Sequence, residues 1–474
     1  MRLNRRQLLE ISAAAIAIPT SAVAPAYAGP VDRRPLPEQR KLTSPAVEAE
    51  LQRIAARIGD PVLRALWIDC FPNTLDTAVT LGGTDARPDT FIITGDIPCM
   101  WLRDSSCQVR PYLYMARNDA VLTRLFRGLI RRHASSIVID PYANAFMQDP
   151  RSPTSLDWAK ADETAMKPGV AERKWEPDSL LHAMRLAHGY WRQTADTFPF
   201  DAMWRDSIRL SIATLDEQRR LHGNGPYQFR RPADALAPPS LNDDPGLPSH
   251  KSGLIHSAFR PSDDPCALPF HIPSNLFAVR ALADIADVAE EAAQDAELAG
   301  LALAFSAEVA TAVERHGIMQ LEDGTRVYAY ETDGQDNALF LDDANIPSLS
   351  SLAYLGACHG DEPVFASSAR RAWSEKNPYF FSGNAATGIG SPHTGKHRIW
   401  PMSLLVHALT SDDPVTIRSD LQTLAGAGAR TGFMHEAFDA DDSNLYTRPW
   451  FGWANSLFAE LIIKVEQSWP AILA

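Results

Sequence analysis

Apolar residues recur at helical spacing through most of this chain. Val47, Leu51, Ile54, Ala55 and Ile58 mark a helix over residues 45–58. Pro61, well suited to a first helical position, opens a second helix predicted to run to residue 75. Residues 103–115 read as helical. Over residues 120–139, Leu122, Leu125, Phe126, Leu129 and Ile130 share one side and arginines occupy the other. Further helices are predicted over residues 177–191, 202–221, 275–289, 293–316, 346–358, 363–374, 401–409, 415–427 and 449–465. Two or three short strands are readable, the clearest in the Thr-Phe-Ile-Ile run at residues 90–93.

The polar stretches between these helices are unequal. Residues 140–177, 223–273 and 377–397 are long and rich in Pro, Asp, Ser or Gly, while other links are tight turns. Long loops in a compact protein usually carry function. Helices in pairs, wound into a toroid, would gather the long loops at one end and form a cleft there. The expected class is therefore all-α, a toroid of paired helices over residues 45–474. Two helical domains split near residues 232–273 are the alternative.

The first 28 residues change the picture of where the chain works. Arg5 and Arg6 precede a modest apolar run over residues 11–24, and Ala26-Tyr27-Ala28 is a small-x-small cleavage site. Paired arginines there predict a twin-arginine export signal, with a Sec signal as the alternative and a periplasmic or extracellular destination. The run falls short of a membrane span and is broken by Pro19 and Pro25, so stable membrane insertion is not expected. Residues 29–44 read as a Pro-rich linker. The formal charge of −13 includes Arg2, Arg5, Arg6 and Glu10, a net +2, so cleavage at residue 28 leaves −15. That charge argues against nucleic acid as a partner. Composition is that of a soluble globular protein, with 45% hydrophobic and 22% charged residues. The five cysteines form no CxxC pair, so buried free thiols are expected and a structural zinc site is not.

Candidate chemistry gathers in a few runs. Residues 94–108 set Asp96, Arg103 and Asp104 among Ile97, Met100, Trp101 and Leu102. Charges in apolar surroundings are costly unless paired, and an indole beside them suits a polar, ring-shaped ligand. A structural Arg–Asp pair is the plainer reading. In the run KWEPDSL, Pro177 would start a helix and place Asp178 in its first turn. The helix dipole favours an ionised carboxylate there, whereas apolar cover would raise its pKa enough to donate a proton. Asp342, Asp343 and Asn345 form an acidic cluster without the alternating oxygens of a calcium loop. His393 sits in a Gly-rich loop, and its spacing to His397 is usable by zinc, though Pro392 and Gly395 argue against a helix there. Glu436 precedes a loop and could activate a water or pair with Arg448. There is no GxSxG elbow for a serine hydrolase.

Taken together, these runs resemble glycoside hydrolase family 125, the exo-α-1,6-mannosidases. The matching segments are GDIPCMWLRDSSCQV, KWEPDSL, DDANIPSLSSL, NPYFFSG, GIGSPHTG, IWPMSL, HEAF and TRPWFGWANSLF, in the family's order from Gly95 to Phe458. Cys99 and Cys107 depart from the small residues expected at those positions. The resemblance implies an (α/α)6 toroid and metal- and cofactor-independent hydrolysis with inversion. It implies Asp178 as general acid and Glu436 as general base, on opposite sides of the scissile bond. Arg103, Asp104, Asp343, Asn345, His393 and Arg448 would hold a terminal mannose of a glycan, between walls formed by Trp101 and Trp450. A monomer is the expected state. An α-glucoside-active inverting glycosidase and a non-catalytic glycan-binding protein are the competing readings.

Overall fold

The computed structural model describes residues 33–231 and 250–474. The expected export signal lies outside the described residues. Six helices close a ring, each touching the next: Leu102–Gln108, Pro177–Thr194, Ile272–Asp287, Leu352–Leu355, Pro401–Thr410 and Gly452–Ser468, the last returning to the first. Between them in sequence lie outer helices Ala120–Ile139, Ala202–Glu217, Ala296–His316, Pro363–Ala372 and Pro414–Gly428, and Pro61–Cys70 packs outside the last inner helix. This is the (α/α)6 toroid that the alternation of links predicts.

Sequence explains which helices go inside. The Pro177–Thr194 helix is buried without a break from Pro177 to Ala187, as an element surrounded by neighbours requires. The outer Ala120–Ile139 helix buries Leu122, Leu125, Phe126, Leu129 and Ile130 and turns its arginines outward, where Arg127 reaches Asp196 and Arg132 reaches Asp89. One outer helix, Ala296–His316, is long and apolar enough to cross a membrane, and it packs against Ile272–Asp287 instead.

Most helix starts divide in the same way, the exceptions being the outer Pro363–Ala372, uncapped, and the inner Ile272–Asp287, capped by His271. Asp60, Asp119, Asp201, Asp295 and Asp413 each accept backbone N–H groups at the start of an outer helix. The inner helices at Leu102, Pro177, Pro401 and Gly452 have no side-chain cap. Every long loop runs from the end of an outer helix to the start of an inner one, so these loops meet at the N-terminal end of the inner ring.

Several boundaries differ from the sequence expectation. The helix expected over 103–115 stops at Gln108 and continues as a 3-10 turn over Arg110–Asn118, because Pro111 has no N–H for the ladder. Pro72 likewise separates Pro61–Cys70 from the short Asn73–Thr77 helix. Of the expected 346–358 helix only Leu352–Leu355 forms, since Leu349 N, Ser350 N and Ser350 Oγ all donate to Asp342 and hold a turn. The described residues also contain six small sheets of two or three strands. Most strands have two or three residues, too few to show a period of two in the sequence. Residues 33–44, read as a linker, are fastened to the body: Arg34 donates to Asp76 and Glu48, and Arg33 to the carbonyl of Arg430.

Two of the sheets place the site. Met100–Trp101 pairs antiparallel with Ala145–Phe146, Trp101 opposite Ala145, and so presents Trp101 at the start of the first inner helix. Arg398–Ile399 pairs with Phe438–Asp439 and ties the loop of His393 to the loop of Glu436.

Candidate active site

The loop end of the ring holds a pocket that opens to solvent. Trp101, Arg103 and Asp104 line it from the first inner helix, Asn345 from the loop before the fourth, and His393 and Trp400 from the loop before the fifth. Glu436, Arg448, Phe451 and Trp453 complete it around the sixth, with Ser262 and Asp263 from the loop before the third. Seven of the ten expected residues therefore share one pocket. Asp178, Asp343 and Trp450 are not in its lining.

Asp178 stands directly behind Arg103. Arg103 Nη1 donates to Glu176 Oε2 (2.6 Å) and Asp178 Oδ2 (3.0 Å), while its other nitrogens approach Asp104 (3.7 Å) and Asp263 (3.8 Å). All but Asp263 are buried. Burial pushes the Asp178 carboxyl above its ordinary pKa by more than Arg103 pulls it down. Glu176 is pushed up further, by burial first and then by Asp263 and Asp178. Glu176 and Asp263 are neighbours in this cluster, and Glu176 Oε1 has no donor partner in the protein. Partial burial pushes Asp263 up as well, but Lys174, Arg103, Glu176 and His393 together hold it below the carboxylate range. Asp104 is raised to about 6, by burial first and Asp263 second, against the pull of Arg103 and Arg448.

Glu436 faces the pocket from the other loop. Its Oε2 accepts from Thr447 Oγ1 (2.7 Å), and its Oε1 lies 3.5 Å from Arg448 Nε. The loop is clamped to the sixth inner helix: Asn455 Oδ1 accepts from Met434 N, and Phe451 N donates to the Met434 carbonyl. Arg448 also reaches Asp96, so it bridges two rims of the pocket.

His393 Nδ1 lies 3.6 Å from Asp264. Burial alone would lower its pKa, but Asp264, Glu436 and Asp263 outweigh that and hold it at about 9, so it is cationic at neutral pH. Asp343 accepts from the backbone and side-chain nitrogens of Asn345 (both 3.0 Å) and from Ser391 Oγ, and thereby orients Asn345 toward the lining. Trp450 packs over Gly95, where a Cβ would stand 3.3 Å from the indole ring, and beside Phe433. The apolar wall expected from Trp450 is formed by Trp400, Phe451 and Trp453.

Several buried polar atoms here have no partner in the protein: Trp101 Nε1, Trp453 Nε1, Arg103 Nε and Asp178 Oδ1. Buried polar atoms are nearly always satisfied, so a cluster of unsatisfied ones around a pocket suits a ligand rich in hydroxyls. The uncapped helix starts add further donors at the same end. His397, Asp439 and Asp441 bring ligand atoms within 4.8 Å of one another and could hold a cation, but none of the three lines the pocket.

Comparison with known proteins decides the family. The family described as metal-independent alpha-mannosidase, GH125, matches residues 60–463. The chain belongs to glycoside hydrolase family 125. This family 125 hydrolase is 39% identical over 456 residues to the meiotically up-regulated gene 157 protein of Schizosaccharomyces pombe, covering 93% of this chain and 89% of that one. It is similar in structure to a Streptococcus pneumoniae metal-independent alpha mannosidase solved with alpha-1,6-mannobiose, at a TM-score of 0.84 and 35% identity over 90% of this chain and 99% of that one. A bacterial glucoamylase, at a TM-score of 0.52 and 11% identity over 89% of this chain and 59% of that one, shares the fold alone.

The mannosidase site contains residues that sequence reasoning passed over. Glu176, buried behind the pocket on Arg103, lay within the KWEPDSL run, two residues before the aspartate that drew attention. Phe451 and Trp453 lay within TRPWFGWANSLF. Asp263 had no such marker: it sits in a long loop whose many Asp and Pro residues look alike in sequence.

Proposed function

We propose that this α-mannosidase is exo-acting and inverting, and releases terminal α-1,6-linked mannose from glycans without a metal ion. One observation carries the reading. A pocket is bounded by the Glu436 carboxyl on one loop and by the carboxyl cluster around Arg103, from which Asp104 and Asp263 reach the lining, on the other side. Inversion needs carboxyl groups on opposite sides. A carboxyl group of that cluster delivers its proton to the glycosidic oxygen as the bond to the anomeric carbon breaks: Asp263 lines the pocket, whereas the expected acid, Asp178, stands behind Arg103 outside the lining. Glu436 takes a proton from a water that attacks the same carbon from the opposite face. The leaving glycan departs as an alcohol, and the mannose carries the water's oxygen.

The surroundings support these roles. Thr447 and Arg448 orient Glu436 with two fixed contacts, which leaves its carboxylate an acceptor toward the pocket. Asp104, Asn345, His393 and Arg448 offer acceptors and donors to the mannose hydroxyls, and Trp101, Trp400 and Trp453 offer faces to its ring. The α-1,6 linkage follows from the mannobiose bound by the pneumococcal relative. Residues 45–474 would act as one unit, exported as a folded monomer by the twin-arginine route and freed of residues 1–28.

Paired variants test the roles. Asp178→Asn and Glu436→Gln should each lower kcat on α-1,6-mannobiose by about 10²–10⁴ with thermal midpoints retained. An aryl mannoside whose leaving group needs no proton should rescue whichever of Asp178→Asn and Asp263→Asn removes the proton donor, but not Glu436→Gln. Near-normal turnover by Glu436→Gln would remove the base assignment.

A further inference from the structure

We infer that Asn144 is a positioning residue for this reaction: its side-chain amide holds Asp263 Oδ1 as an acceptor, so that the proton Asp263 gives up is carried on its other oxygen, Oδ2. The inference rests on the reading of Asp263, the carboxyl that lines the pocket, as the group that protonates the glycosidic oxygen.

Asn144 is fully buried in the loop between the Ala120–Ile139 and Pro177–Thr194 helices. It joins three pieces that build the site. Its carbonyl accepts from Leu102 N (3.1 Å), at the start of the first inner helix. Its Oδ1 accepts from Lys174 N (3.1 Å), just before the second. Its Nδ2 donates to Glu172 Oε2 (3.0 Å) and to Asp263 Oδ1 (3.4 Å), the latter on the loop before the third. The amide can sit only this way round. A backbone N–H only donates, so the atom facing Lys174 N is the amide oxygen, and the nitrogen faces the two carboxyls. Glu172 is held in turn by Trp158 Nε1 and Arg231 Nη2, each 3.1 Å from its Oε1. An amide NH2 has two hydrogens, and the two carboxyls take one each.

The backbone of Asp263 is fixed, but that does not orient its carboxyl. Its φ is +66°, its N–H donates to the Arg260 carbonyl (2.9 Å), and its own carbonyl accepts from Lys174 Nζ (3.1 Å). Two side-chain torsions remain to be set by contacts. Two nitrogens approach the same oxygen: Asn144 Nδ2 at 3.4 Å and Arg103 Nη2 at 3.8 Å from Oδ1. An oxygen that faces N–H groups acts as acceptor, so the neutral acid keeps its proton on Oδ2. That proton passes to the glycosidic oxygen, which also keeps the electrons of the bond broken at the anomeric carbon. Asp263 is left a carboxylate, met at Oδ1 by Asn144 and Arg103. Its side chain is 29% exposed and recovers a proton from solvent, while Glu436 releases the one it took from water.

The experiment compares two leaving groups in the wild type, Asn144→Ala and Asp263→Asn, each assayed well below its thermal midpoint. The leaving oxygen of α-1,6-mannobiose needs a proton; that of an activated nitrophenyl α-mannoside does not. Asn144→Ala should lower kcat on the mannobiose by about 10–10²-fold, the cost of a misplaced catalytic group. It should keep kcat on the nitrophenyl substrate within about twofold of wild type and leave the inhibition constant of free mannose unmoved. Should Asn144→Ala fold poorly, Asn144→Ser is read in the same way: its hydroxyl can still accept from Lys174 N but is too short to reach Asp263. Equal loss on both substrates, no loss on either, or a weaker inhibition by mannose alone overturns the inference and makes Asn144 a structural residue. If Asp263→Asn shows the leaving-group split and Asn144→Ala does not, this inference alone fails. If Asp263→Asn shows no split, Asp263 is not the acid and both readings fall.

Discussion

Asp178 occupies the first turn of its helix, where the macrodipole favours a charged carboxylate, and it touches a guanidinium. Both effects act to ionise it, yet full burial with one oxygen unpartnered outweighs them. The sequence shows the dipole and hints at the apolar cover, but the burial that decides the sign comes from packing far along the chain. His393 is the opposite case. Its pKa of about 9 lies above the ordinary 6.5, so its ion pairing with Asp264 stabilises the fold fully below pH 6.5. That contribution is lost as pH rises through about 9. His393→Gln should therefore lower the thermal midpoint relative to wild type at pH 6, with the gap closing by about pH 10. A gap that is constant with pH would mean the charge is not what Asp264 recognises. Residues in contiguous motifs (Arg103, Asp104, Asn345, Glu436) were legible in the sequence because each run carries its own context. Trp453 displaced Trp450 in the wall because it lies within the first turn of the sixth inner helix, whereas Trp450 precedes the helix and packs on Gly95.

Elements meet closely where side chains are missing. The hairpin Val79–Thr84 with Arg87–Ile92 lies on the Ala120–Ile139 helix at Gly128, where a Cβ would stand 2.9 Å from the Asp89 carbonyl carbon and the Thr90 nitrogen. Alanine in a helix interior is worth about 1 kcal/mol over glycine, but forcing backbone apart in a packed contact costs about 1–3 kcal/mol and wins here. Gly128→Ala should thus lower stability to denaturant, and a stabilised variant would show that the hairpin can lift without cost. The helix-period pattern revealed nearly every long helix, including which face was buried. It overran at Pro72 and Pro111, where a missing N–H starts a new turn, and at residues 346–351, where Asp342 binds the backbone that a helix would have used. The short strands left no pattern to read.

At the scale of the whole molecule, alternation of tight and long links was enough to anticipate a ring with all its long loops at one end. It was not enough to say which loops touch: Asp263, Asn345, His393 and Glu436 converge only because the six inner helices close on themselves. The family is metal-independent, so activity should survive exhaustive EDTA treatment. Loss restored by an added divalent cation would contradict that and direct attention to His397, Asp439 and Asp441. The most direct test of the proposed chemistry is proton NMR of the sugar first released from α-1,6-mannobiose, read before mutarotation. A single displacement by the water that Glu436 activates predicts β-mannose as the first product. First release of α-mannose would mean two displacements, and would contradict the roles assigned to Glu436 and to the carboxyl cluster around Arg103.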